Sequence, residues 1–118
     1  MKQNDNLLVE NYSVKVNVVK INDERKKQLD EKWEVLPRPY RMGAERYFEK
    51  YALINGLREL ADEYKEVARE RRAIEARDQN NWTPSEYGKA YELSHKALAI
   101  KRRANALGYD IEEETSFE

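Results

Sequence analysis

Residues 53–107 read LINGLRELADEYKEVARERRAIEARDQNNWTPSEYGKAYELSHKALAIKRRANAL, and their spacing decides the fold. Leu53, Leu57, Leu60, Tyr64, Val67, Arg71 and Ile74 follow one another at intervals of four and three, the period of a helix seam. Beyond Gln79-Asn80-Asn81-Trp82, the residues Ala90, Leu93, Ala97, Ile100, Ala104 and Leu107 keep the same period, with alanine alternating against larger aliphatic side chains. Small seam residues let two backbones approach closely, and a short turn makes them antiparallel. The charges agree with that pairing. Glu63 and Glu70 on the first helix meet Lys89, Lys96 and Arg103 on the second along one edge.

Working outward, Thr83-Pro84-Ser85-Glu86 is a capping box, with Thr83 at N-cap, Pro84 at the first helical position and Glu86 reaching back. Gly108 ends the second helix, where Lys101, Arg102 and Arg103 face the negative end of the helix dipole. On the other side no proline interrupts residues 44–78, which predicts one helix of about 50 Å with Gly56 as its weak point. Pro37 and Pro39 argue against helix, so residues 36–43 are expected to form a stiff connector.

Nearer the N-terminus, Tyr12, Val14, Val16 and Val18 alternate with polar residues and predict a half-buried strand. That strand needs a partner, and Leu7-Leu8-Val9, Trp33-Glu34-Val35-Leu36 or a second copy of the chain could supply it. Asn22 caps a short helix over residues 23–32. Residues 108–118 carry five acids and no base, and are expected to be a frayed, solubilising end. The expected fold is therefore mainly α: a long antiparallel, coiled-coil-like helical hairpin at 44–107, a strand, short helix and connector at 1–43, and an acidic tail at 108–118.

Composition narrows the function. The 118 residues fit one domain, and with 22 basic and 23 acidic side chains no overall field recruits a nucleic acid or a membrane. Without cysteine there are no disulfides, thiolate metal sites or cysteine nucleophiles. His95, the one histidine, is expected on the outer face of the second helix as a surface residue, and alone it builds no metal triad. Glu59, Asp62, Glu63, Glu66 and Glu70 read as a solvated acidic face, since carboxylate metal sites in bundles also use inward Glu-x-x-His pairs. No phosphate loop or nucleophile elbow is present, so no catalytic, cofactor or metal residues are expected. The absence of an apolar stretch near the N-terminus points to a soluble, cytoplasmic protein with no membrane partner.

What is left is a surface. Tyr47, Ile54, Ala61 and Ala68 on the first helix, with Tyr87, Tyr91, Ser94 and Leu98 on the second, extend the apolar area beyond the seam and require a cover. The N-terminal elements can cover its base. A protein partner, or a second copy in a homodimer or larger assembly, is expected over the distal half, because tyrosines suit wet interfaces. The leading expectation is a non-enzymatic, self-associating adaptor or inhibitor-type protein. The alternative is a nucleic-acid-binding accessory protein using Arg69, Arg71, Arg72 and Arg77 at the hairpin tip, Lys96, Lys101, Arg102 and Arg103 near the end of the second helix, and Arg38-Pro39-Tyr40-Arg41 before the hairpin. Interleaved acids weigh against it.

Overall fold

A computed structural model describes residues 7–11 and 14–114; the Tyr12 end of the expected strand and residues 115–118 lie outside the described part. The chain is mainly helical, with a small antiparallel sheet packed on one side of the helices.

The alternating valines do form a strand. β2 (Val14–Lys20) buries Val14, Val16 and Val18 and leaves Lys15, Asn17 and Val19 half-buried, the two faces of a pleat. β1 (Leu7–Asn11) pairs with it antiparallel, so Leu7-Leu8-Val9 supplies the partner within the chain. The other expected candidate, Trp33-Glu34-Val35-Leu36, is the end of a helix instead. That helix, α1 (Asp23–Val35), starts where the Asn22 side chain accepts from the Arg25 amide at 2.8 Å, buries Trp33, and stops before Pro37.

The other edge of β2 is occupied by β3 (Tyr109–Glu114), in the register Val18↔Ile111 and Val16↔Glu113. The acidic end is thus not frayed through Glu114. Tyr109 and Ile111 share the two-residue period of a strand, and Ile111 is completely buried. Gly108, at φ 92°, takes the left-handed conformation that turns the chain into the strand.

The expected single helix over 44–78 is three helices. The connector itself is helical: α2 (Arg38–Glu45) begins after Pro37, and Pro39 falls in its first turn, where a missing N–H breaks no helical bond. α3 (Phe48–Ala52) follows and buries Tyr51. The chain then leaves helical geometry until Gly56, the N-cap of α4 (Leu57–Glu75). Ile54, Asn55 and Gly56 are weak helix formers, and the break is secured from outside: Arg103 donates to the Ile54 carbonyl at 3.0 Å and to Asn55 Oδ1 at 2.5 Å. Leu53, placed in the seam by its spacing, is consequently 83% exposed.

After a 3-10 turn at Gln79–Asn81, the capping box forms as expected, with Glu86 N–H donating to Thr83 Oγ1 at 3.2 Å and Thr83 N–H to Glu86 Oε1 at 2.9 Å. It opens α5 (Pro84–Ala106). α4 and α5 run antiparallel, as the Glu70–Lys89 pair at 3.9 Å and the Arg77–Glu86 pair nearer the turn require. Leu60, Tyr64, Val67, Leu93, Ala97, Ile100 and Ala104 are all buried in one core cluster, but the long hairpin expected over 44–107 is not found, because the helix breaks twice before Leu57. Arg71 departs from the expected seam by turning to the sheet.

Candidate interaction surface

The expected stripe divides. Ala61 and Ala68 are fully buried, because α4 lies under β1 and β2 and a methyl group lets the sheet come close. They belong to the core and are not available to a partner. Tyr47 and Ile54 are half-buried against the same core. Leu98 is half-buried too, sharing a cavity of about 230 Å³ with Leu29, Trp33 and Leu36, so α1 and its exit cover that part. Tyr87 and Tyr91 stay in the open, 40% and 58% exposed.

The basic residues were expected to form patches, but most sit in specific pairs. Glu113 of β3 engages Arg71 through Oε1 at 2.6 Å and Arg72 through Oε2 at 2.7 Å, while the Tyr64 hydroxyl donates to Oε1 at 3.5 Å. Burial, with Glu113 beside it, pushes the Tyr64 phenol above its ordinary value, so this hydroxyl acts as a hydrogen-bond donor and remains neutral. Arg69 pairs with Glu66, Lys96 with Glu92, and Arg77 with Glu86. Arg102 reaches Asp30 at 2.8 Å with its guanidinium 4.6 Å from the Trp33 ring centroid. Asp110, fully enclosed, lies 3.6 Å from Lys101 Nζ and 3.9 Å from Arg25 Nη2, and accepts from the Ile111 amide at 2.9 Å. These contacts tie β3 to α1, α4 and α5. Sequence reasoning missed both acids as structural anchors; for Glu113 the signal was the two-residue spacing of Tyr109, Ile111 and Glu113, while Asp110 is out of phase with it.

His95 is not an outer-face residue. α2 folds onto α5, and the ring is held between Tyr40, 5.7 Å away edge to face, and Tyr91, 6.3 Å away. The α2 backbone comes so near that a Cβ on Gly43 would lie 2.3 Å from Nδ1, which explains glycine at this position. Burial, with the positive charge of Arg46 as the lesser cause, holds the imidazole below its usual value. The unfolded chain therefore binds a proton more readily than the folded one. Stability is complete above the ordinary histidine range, about 6.5, and declines as pH falls through it. Melting of the wild type is expected to drop more between about pH 7 and pH 5 than melting of a His95→Gln variant; parallel curves would show that the site does not respond to protonation.

Tyr40, Trp82, Tyr87 and Tyr91 line one open cavity of about 220 Å³ with Gln79 and Ser94. Trp82 and Tyr87 meet edge to face at 5.1 Å. The Trp82 indole N–H donates to the Arg77 carbonyl at 3.2 Å and the Tyr87 hydroxyl to the Gln79 carbonyl at 3.2 Å, so each polar tip is turned back to the chain. The sequence placed Tyr87 and Tyr91 on this surface but read Tyr40 only within the basic Arg38-Pro39-Tyr40-Arg41 and Trp82 only as a turn residue; both reach the site because α2 folds back and the turn folds under.

Among the described residues no helix is long and apolar enough to cross a membrane, and no three His, Asp or Glu side chains converge as a metal site. No protein-family model, curated protein or solved structure matches the chain.

Proposed function

We propose that the chain is a non-enzymatic, cytoplasmic protein-binding module, an adaptor or inhibitor-type protein, whose contact surface is the aromatic corner where α2, the 3-10 turn and the first half of α5 come together. The observation that carries this reading is that Tyr40, Tyr87 and Tyr91 remain 41%, 40% and 58% exposed while lining one cavity together. Tyrosine and tryptophan dominate the energetics of such contacts, offering large rigid area with few torsions to freeze. The corner also serves self-association through a two-fold axis, which brings two copies of one patch together. Nucleic-acid binding is the weaker reading, since Arg69, Arg71, Arg72, Lys101 and Arg102 are already opposite carboxylates.

Light scattering at micromolar concentration is expected to report a dimer or larger assembly, and Tyr91→Glu is expected to move it toward monomer with helical circular dichroism unchanged. A wild-type monomer throughout would remove self-association. Failure of tagged protein to retain any partner in a Tyr91-dependent manner would remove the contact-surface reading as well.

A further inference from the structure

We propose that the aromatic cavity is a cage for a trimethylammonium group, carried by a trimethylated lysine side chain of a partner protein. This rests on the reading of the same corner as a protein contact surface and adds the chemistry that it recognises. Four aromatic residues, Tyr40, Trp82, Tyr87 and Tyr91, line about 220 Å³, and neither a basic nor an acidic side chain is among the lining residues described. Aromatic faces carry negative potential and attract a cation that has little hydration to lose, the property that separates a methylated ammonium from a primary one. Anions are poorly suited to the place, because no cationic side chain lines it and two of its donors are already engaged, the Trp82 N–H on the Arg77 carbonyl and the Tyr87 hydroxyl on the Gln79 carbonyl. A primary ammonium is also poorly suited. It needs acceptors for three N–H groups, and no carboxylate lines the cavity to supply them. The neighbouring His95 ring, kept below its usual pKa by burial, adds no competing positive charge at neutral pH. Tyr91 and Tyr40 stand half-open at the mouth, which leaves a path for the stem of a long side chain to run outward to its own backbone.

The chain has two tryptophans, Trp82 in the cavity and Trp33 in the core, so two indole N–H signals in a nitrogen–proton correlation spectrum separate the site from the fold. Titrating a peptide that carries one trimethyllysine is expected to move the Trp82 signal saturably and leave Trp33 in place. The same peptide with the uncharged tert-butyl isostere is expected to bind about tenfold more weakly, as loss of a desolvated cation–π contact implies. Tyr91→Ala is expected to weaken the trimethyllysine response to the same degree while the Trp33 signal, as a check of folding, holds its position. Equal binding of the neutral isostere, or no movement of Trp82, would overturn the proposal; tighter saturation by free choline than by the peptide would overturn its protein source. Light scattering on the same samples reads self-association separately, so a lost cage and a lost contact surface give different results.

Discussion

Removing residues 109–118 is expected to abolish cooperative unfolding of the remaining chain. β3 supplies the whole second edge of β2, from Lys15↔Glu114 to Lys20↔Tyr109, and without it that row of backbone donors and acceptors opens beside the buried valines. Ile111 goes with it, a fully buried side chain whose truncation to alanine alone costs about 2–5 kcal/mol. Arg71 and Arg72 lose the Glu113 carboxylate, and Arg25 and Lys101 lose Asp110. A domain of this size has only about 5–15 kcal/mol of stability to lose. Urea unfolding followed by circular dichroism is the measurement, with Ile111→Ala as the milder companion. A truncated chain with an undiminished transition midpoint would return these residues to the role of a dispensable acidic end.

That expectation runs against the composition of the segment, and the reason shows where local reading stops. The capping box, the α1 start at Asn22, the valine strand and the Gly108 terminus are each decided within a few residues, and each forms where its signal lies. β3 is decided elsewhere. Glu113 can face inward only because Arg71 and Arg72, some forty positions earlier, take one carboxylate oxygen each. Arg71 at an otherwise apolar seam was the trace of that in the sequence. The 44–78 helix failed for a similar reason: Ile54, Asn55 and Gly56 weaken it locally, but the decisive bonds come from Arg103 across the molecule. Of the aromatic corner, only the α5 half was visible, since Tyr87 and Tyr91 share a helical period while Tyr40 and Trp82 arrive through tertiary folding.

Ala68→Glu is expected to be the most damaging single change along the stripe that the sequence presents as one surface, and Tyr91→Glu among the least. Both positions fall on apolar stripes flanking the α4–α5 seam, so a shared interface would make both substitutions disrupt assembly and spare the fold. The structure separates them. Ala68 is completely buried with the sheet packed over α4, so a carboxylate there must be desolvated without a prepared partner. Lys65, Arg71 and Arg72, three or four positions away, are the nearest candidates along the helix, yet Lys65 already pairs with Asp62 at 3.4 Å and both arginines hold Glu113; a new carboxylate that captured one of them would weaken that pair instead. Either outcome leaves a charge without adequate compensation in the interior, a cost of about 3–5 kcal/mol. Tyr91, more than half exposed, should change stability by no more than about 0.5 kcal/mol when measured dilute enough to be monomeric. Chemical unfolding of the two variants side by side tests the division. Equal stabilities would place Ala68 on an accessible face and bring back the continuous stripe, whereas a large loss confined to Ala68→Glu leaves the aromatic corner as the surface open to partners.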